Sequence, residues 1–209
     1  MGRASHNPGE SDLAEPLAGR AAEFSTTRIR STKERTIDAE GAITIERAQS
    51  EDIPAVTALL TQTWLDTYGA YLSEQTIRAV TAVWHDPARL AAETQDRAIY
   101  FAIARTDTGS IVGMTTAREI GDRTLFLSRL YIHPDYQRRG IGGRLLRAAM
   151  RTFPSARVCQ LEVETLNEQA RLFYERQGFR ENGRRQFPIG DGAIEVRMME
   201  VEIVRDGAV

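Results

Sequence analysis

The run Leu130-Tyr131-Ile132-His133-Pro134-Asp135-Tyr136-Gln137-Arg138-Arg139-Gly140-Ile141-Gly142-Gly143-Arg144-Leu145-Leu146 joins a strand-like segment to a helix-like one. Pro134 cannot donate to a ladder, so it ends the strand. Glycines at 140, 142 and 143 leave little side chain where the helix begins. A helix start of that kind presents free N–H groups and the positive end of the macrodipole, and both favour an anion. Ile141, Leu145 and Ala149 then recur on one helix face.

The neighbouring segments build a fold class outward from this run. Leu125 to Ile132 and Val158 to Val163 read as strands on either side of the helix. A strand–helix–strand unit of this kind joins parallel strands by a right-handed crossover. Before it, Ala98 to Ala104 and Ile111 to Ala117 flank a hairpin turn at Asp107-Thr108-Gly109, which predicts an antiparallel meander. After it, Asn167 to Gln177 reads as a helix closed by Gly178, with Ala170, Phe173 and Tyr174 inward. Phe179 to Phe187 and Ile194 to Ile203 read as strands around Gly190-Asp191-Gly192. The expected class is α/β: a mixed sheet with helices on both faces. Ligands then bind where strand carboxyl ends meet a helix start, which is where the glycine loop falls.

Toward the N-terminus, Ala42 to Arg47 alternates as a short strand. Ser50 and Asp52 are N-cap types and Pro54 suits a first turn, so a helix follows with Ile53, Val56, Leu59, Leu60 and Trp64 at helical spacing. Ser73 caps a second helix carrying Ile77, Val80 and Trp84, and Asp86-Pro87 restarts a short third through Leu90. Residues 1–41 show no sustained period and read as a mobile tail; 42–209 form the expected domain.

Composition narrows the function classes. A chain of 209 residues with 42% hydrophobic content supports one domain with a real core. The formal net charge of −2 disfavours a nucleic-acid surface, and no nucleic-acid partner is expected. Lys33 is the only lysine, so the positive charge is nearly all arginine. Cys159, the single cysteine, excludes an internal disulfide and sits in an apolar strand, where an inert thiol is expected. No apolar run reaches membrane-spanning length and no signal-peptide core is present, so a cytoplasmic protein is expected.

Gln137-Arg138-Arg139-Gly140-Ile141-Gly142 resembles the coenzyme A pyrophosphate loop of the GCN5-related N-acetyltransferases, Gln/Arg-x-x-Gly-x-Gly/Ala. A second block, Leu161-Glu162-Val163-Glu164-Thr165-Leu166-Asn167-Glu168-Gln169-Ala170-Arg171-Leu172-Phe173-Tyr174-Glu175-Arg176-Gln177-Gly178-Phe179, is similar to that family's second motif in order and spacing. The resemblance covers about residues 43 to 204.

The resemblance implies acetyl-CoA as acyl donor, no metal, and an amine of a small molecule or protein N-terminus as acceptor. Backbone at Leu130, Tyr131 and Ile132 would bind the pantetheine arm like an added strand. Arg138, Arg139, Gly140, Ile141, Gly142 and Gly143 would cradle the pyrophosphate, and a side chain at Gly140 would intrude there. Asn167 would contact the pantetheine or hold a water; its other reading is a helix-start residue. Tyr174 matches the general acid, and a phenol with an ordinary pKa near ~10 keeps its proton at neutral pH. A backbone N–H near Tyr131 or Ile132 would stabilise the tetrahedral oxyanion. Glu162 matches the catalytic glutamate of the ribosomal-protein alanine acetyltransferase branch. Strand alternation puts Glu164 on the same face, and Glu119 is a third candidate base; water alone is a fourth. Trp64, Thr67, Tyr68 and Tyr71 resemble a Trp-x-x-x-Tyr acceptor region, with core packing the equal alternative. Phe187 and the loop from Pro188 to Gly192 would close the other side of the acceptor cleft. A non-catalytic acyl-CoA-binding module and an RNA-directed toxin of the same fold are the competing functions, and monomer and homodimer are both open.

Overall fold

Ile43 and Ile45 are buried while Thr44 and Glu46 are half-buried, the period of two that a strand packed on one face requires. A computed structural model describes residues 34–38, 41–70, 72–189 and 192–205 of the chain. In chain order its elements are β1 Glu34–Asp38, β2 Gly41–Arg47, α1 Ile53–Tyr68, α2 Glu74–Trp84, α3 Pro87–Gln95, β3 Ile99–Arg105, β4 Ile111–Glu119, β5 Thr124–Ile132, α4 Ile141–Thr152, β6 Val158–Glu164, α5 Glu168–Arg176, β7 Arg180–Ile189 and β8 Gly192–Glu202. The strands form one sheet in the order β1-β2-β3-β4-β5-β6-β8-β7. Strands β1 to β5 pair antiparallel in succession, and β5 pairs with β6 in parallel. The meander and the crossover are therefore those that the sequence predicts.

The sheet separates two apolar clusters. On one face Ile141, Leu145, Leu146 and Ala149 of α4 and Tyr174 of α5 pack against Tyr100, Ala102, Leu125, Leu127 and Leu161. On the other, Val56, Leu59 and Leu60 of α1 and Leu90 of α3 pack against Phe101, Ile103 and Met114. Strand β3 contributes to both, so it reads as a continuous apolar run. Helices thus cover both faces. Gly113 allows α4 and β5 to close on β4, because a Cβ there would lie 2.8 Å from Ile132 Cδ1 and 3.2 Å from Leu145 Cδ1.

Three local readings change. Strand β1 lies upstream of the expected domain start and pairs with β2, while residues 1–33 lie outside the described residues. Asp52 does not cap α1 with its side chain. Its carboxylate instead accepts from the Gln49 N–H and pairs with Arg105 at 2.6 Å. The third helix runs on to Gln95, past Leu90. Ser73 and Asp86 cap their helices as predicted, accepting from the Thr76 and Arg89 N–H groups.

His85 follows α2 and is 4% exposed. Burial first, then the Arg129 and Arg89 guanidinium groups, push its imidazole down to about 3. In the unfolded chain it titrates near ~6.5. Between these values the unfolded chain binds more protons, so the stability contributed by neutral His85 is complete above ~6.5 and lost as pH falls toward 3. Denaturant unfolding should show a stability loss from about pH 7 to about pH 5 that is about 2 kcal/mol larger in the native sequence than in His85→Phe. Equal losses in the two proteins would remove His85 as the source.

Candidate active site

Strand β5 leaves its partner halfway along. It pairs with β6 only from Thr124↔Val158 to Leu127↔Leu161. Beyond that point β5 pairs with β4 alone, and β6 continues as Glu162–Glu164 against β8. The parting follows an extra residue: Thr116 faces Arg129 and Ala117 faces Leu127, so Ser128 is accommodated as a bulge. Bulges bend a strand and end pairing locally. The opening lies within a cavity of about 850 Å³ whose wall includes Leu130, Tyr131 and Ile132.

The glycine loop closes one side. Arg138 takes φ +64° and Gly140 takes φ +77°, both left-handed. Gly140 is the N-cap of α4 and supplies no side-chain cap, whereas α2, α3 and α5 are each capped by one. The first α4 bond runs from the Arg144 N–H to the Gly140 carbonyl at 3.1 Å. The N–H groups of the first turn precede it and have no intrahelical acceptor. A Cβ at Gly140 would meet nothing within 4 Å. The need for glycine there is thus the backbone angle, and the expected intrusion of a side chain is not what the geometry gives. At Gly142 space is the limit, since a Cβ would lie 3.3 Å from the Phe173 ring.

Arg138, Gly140, Gly142 and Gly143 line the cavity, and Arg139 and Ile141 do not. Arg139 turns back, donating to the Asp135 carbonyl at 2.9 Å with its guanidinium 5.0 Å over the Tyr136 ring. Ile141 is buried in the core. Arg147, four residues after Gly143, joins the wall and brings a cation to the α4 side. The helical i+4 spacing from Gly143 was the signal that would have identified it.

Helix α5 and its N-cap supply much of the remaining wall, including Asn167 and Tyr174. Asn167 caps the helix, with Oδ1 accepting from the Ala170 N–H at 3.0 Å. Asn167 is therefore the helix-start residue, and it also lines the cavity. Tyr174 is 8% exposed and packs edge-on against Phe173 and Phe179. Burial, with smaller contributions from Tyr131 and Cys159, pushes its phenol well above the ordinary range, so it stays protonated. Cys159 itself is buried and its thiol is pushed up to about 12, which makes it inert.

The opposite side is aromatic and acidic. Trp64 and Tyr68 of α1 line it with ring centroids 4.8 Å apart, and Trp64 Nε1 donates to the Tyr131 hydroxyl at 3.4 Å. Burial, followed by the charge of Glu164, pushes the Tyr68 phenol far up. Glu162 and Glu164 alternate with buried Val163 and both line the cavity. Arg185 of β7 holds Glu162 through two 2.7 Å bonds. Glu119 lies at the end of β4, off the cavity wall, where the Ser155 hydroxyl donates to it. Tyr71 and residues 190–191 lie outside the described residues, as does the Phe187 side chain. Among the described residues no His, Cys, Asp and Glu group suits a metal, and no helix is long and apolar enough to cross a membrane.

Comparison with known proteins agrees with this geometry. Structurally, the chain is similar to the PaiA N-acetyltransferase of Thermoplasma acidophilum solved with coenzyme A, at TM-score 0.66 and 23% identity, covering 77% of this chain and 99% of that one. It is also similar to the ribosomal-protein-S18-alanine N-acetyltransferase of Escherichia coli, at TM-score 0.57 and 23% identity over 79% and 97%. These likenesses speak to the fold. An uncharacterised N-acetyltransferase of Mycobacterium tuberculosis is 35% identical over 106 residues, 49% of this chain and 67% of the relative. The model of the acetyltransferase (GNAT) family matches residues 56–179. That match spans α1 through α5 and takes in both β5 and the glycine loop, more than half of the sequence; the chain belongs to the GNAT acetyltransferase family.

Proposed function

We propose that this acetyltransferase holds acetyl-CoA in the opening between β5 and β6 and delivers the acetyl group to a primary amine, on a small molecule or a protein N-terminus, that enters beside Trp64 and Tyr68. The observation that carries this reading is the parting of β5 from β6 beside a helix start without a side-chain cap, inside one cavity that also holds Tyr174. The residues fit the donor part by part. The free edge of β5 at Leu130–Ile132 suits the amide groups of a pantetheine arm as an added strand would be suited. The α4 N-terminus suits a pyrophosphate, with Arg138 and Arg147 on the same side. Asn167 supports the arm from α5.

When bound, the thioester supplies an acyl carbon open to attack. The protein's own groups do the rest. Backbone N–H groups near Tyr131 and Ile132 would stabilise the charge that develops on the acyl oxygen. The Tyr174 phenol, kept neutral by burial, holds a proton for the departing thiolate. One of the two β6 carboxylates on the cavity wall, Glu162 at the family position or Glu164, takes the proton of the amine.

Calorimetric titration with coenzyme A, joined to thiol release from acetyl-CoA over an amine panel, tests the reading; a protein that neither binds nor transfers refutes it. Tyr174→Phe should lower turnover more than ~10-fold and leave acetyl-CoA affinity within about twofold. Unchanged turnover would take the acid role from Tyr174. Gly140→Val should weaken acetyl-CoA binding more than ~10-fold through its backbone angle, and Gly140→Asn, which tolerates positive φ, should lose less. Equal losses in the two variants would point to bulk instead.

A further inference from the structure

The two carboxylates of β6 share a face but not an environment. Arg185 pairs with Glu162 in fork geometry, with one 2.7 Å bond to each oxygen. Glu164 lines the same cavity as Tyr68 and Asn167, and its Oε2 is buried and has no hydrogen-bond partner among the described residues. Asn167 spends Oδ1 on the Ala170 N–H, which leaves its amide N–H groups, and no acceptor, for the cavity side. Glu164 thus stands on the cavity wall with a carboxylate oxygen that no donor among the described residues occupies. A buried carboxylate oxygen without a donor costs free energy, and a charged donor arriving there recovers it.

We propose that Glu164 is the catalytic residue that receives the acceptor ammonium and takes its proton, with Glu162 serving as a positioning residue that fixes β6 to β7 through Arg185. The proposal rests on the acetyl-transfer reading above and names the acceptor class for it. Trp64, Tyr68 and Tyr131 line the same cavity as Glu164, and an aromatic wall with a carboxylate favours an ammonium on an uncharged stem. A carboxylate next to the amine would meet the negative charge of Glu164 and find the Arg185 guanidinium already engaged. The class is thus a primary amine, or a peptide N-terminus, with no carboxylate beside the nitrogen.

The proton balance closes. The ammonium gives one proton to Glu164, which releases it to solvent. The nitrogen lone pair forms the N–C bond as the carbonyl pair moves onto oxygen. The carbonyl reforms, the C–S bond breaks, and the thiolate takes the Tyr174 proton. The second nitrogen proton restores the Tyr174 hydroxyl by way of solvent. The net products are an amide, a thiol and one released proton.

The test uses the full chain with acetyl-CoA and four probes: n-butylamine, benzylamine, tyramine and a dipeptide amide, against the matching amino acids. Glu164→Gln should lower kcat/KM for the best probe by more than ~100-fold, while Glu162→Gln lowers it less than ~10-fold. Both should keep acetyl-CoA affinity within about twofold, which reports a folded donor site. The pH profile of kcat/KM should also change in Glu164→Gln alone, rising until the amine itself loses its proton. A Glu164→Gln protein within threefold of the native rate, a larger loss in Glu162→Gln, or faster transfer to the amino acids would each overturn the proposal. Coenzyme binding without transfer to any of the four amines overturns it too and leaves the donor site standing. Absence of coenzyme binding overturns the acetyl-transfer reading beneath it.

Discussion

Backbone N–H and C=O groups removed from water need partners, and beyond Leu127 strand β5 has a strand on one side only. The rest of the site follows from that constraint. The Ser128 bulge turns β5 away while β6 keeps its direction, because β8 holds it along its whole length from Val158 to Glu164. A wedge opens whose one side is an unpaired strand edge. An extended chain with alternating amide groups is the shape that completes such an edge. The crossover then requires a helix after β5, and that helix starts beside the wedge.

How that helix starts decides what the wedge can hold. A side-chain cap is worth about 1 kcal/mol at a helix N-terminus, and Ser73, Asp86 and Asn167 provide one for α2, α3 and α5. At α4 a left-handed Gly140 stands instead. Its first-turn N–H groups remain available for an outside anion, with Arg138 and Arg147 adding charge nearby. On the α1 side the sign reverses, with Glu162 and Glu164 among aromatic rings. One cavity thus carries positive groups where a pyrophosphate belongs and negative groups where an ammonium belongs.

Features with short sequence range were legible before the fold. Pro134, the glycine loop and the Asn167 to Gly178 helix rest on residues within one turn or one helix of each other, so their spacing is enough. The crossover and meander followed from the order of periodic segments. What depended on distant pairing was not legible. Glu162 and Arg185 are 23 positions apart and meet because β8 inserts between β6 and β7. Arg105 claims Asp52 from 53 positions away, which leaves α1 without the expected cap. Arg139 matched the loop pattern, yet Tyr136 and the Asp135 carbonyl draw it off the cavity. A motif specifies where backbone goes; it does not specify which of two adjacent arginines faces the ligand.

The position of Tyr174 joins stability to chemistry in a way that limits both. Its ring is held by Phe173 at 5.0 Å and Phe179 at 5.4 Å between centroids, and the same Phe173 lies against Gly142 at the start of α4. The phenol is therefore placed by core packing rather than by a hydrogen bond to a charged neighbour. Such placement keeps the hydroxyl neutral and dry, which is what a proton donor to a thiolate needs. A larger residue at Gly142 would press on Phe173 and, through it, on Tyr174. In the proposed reaction donor binding and proton delivery would share this contact, and the small residue at 142 leaves room for the Phe173 ring between them.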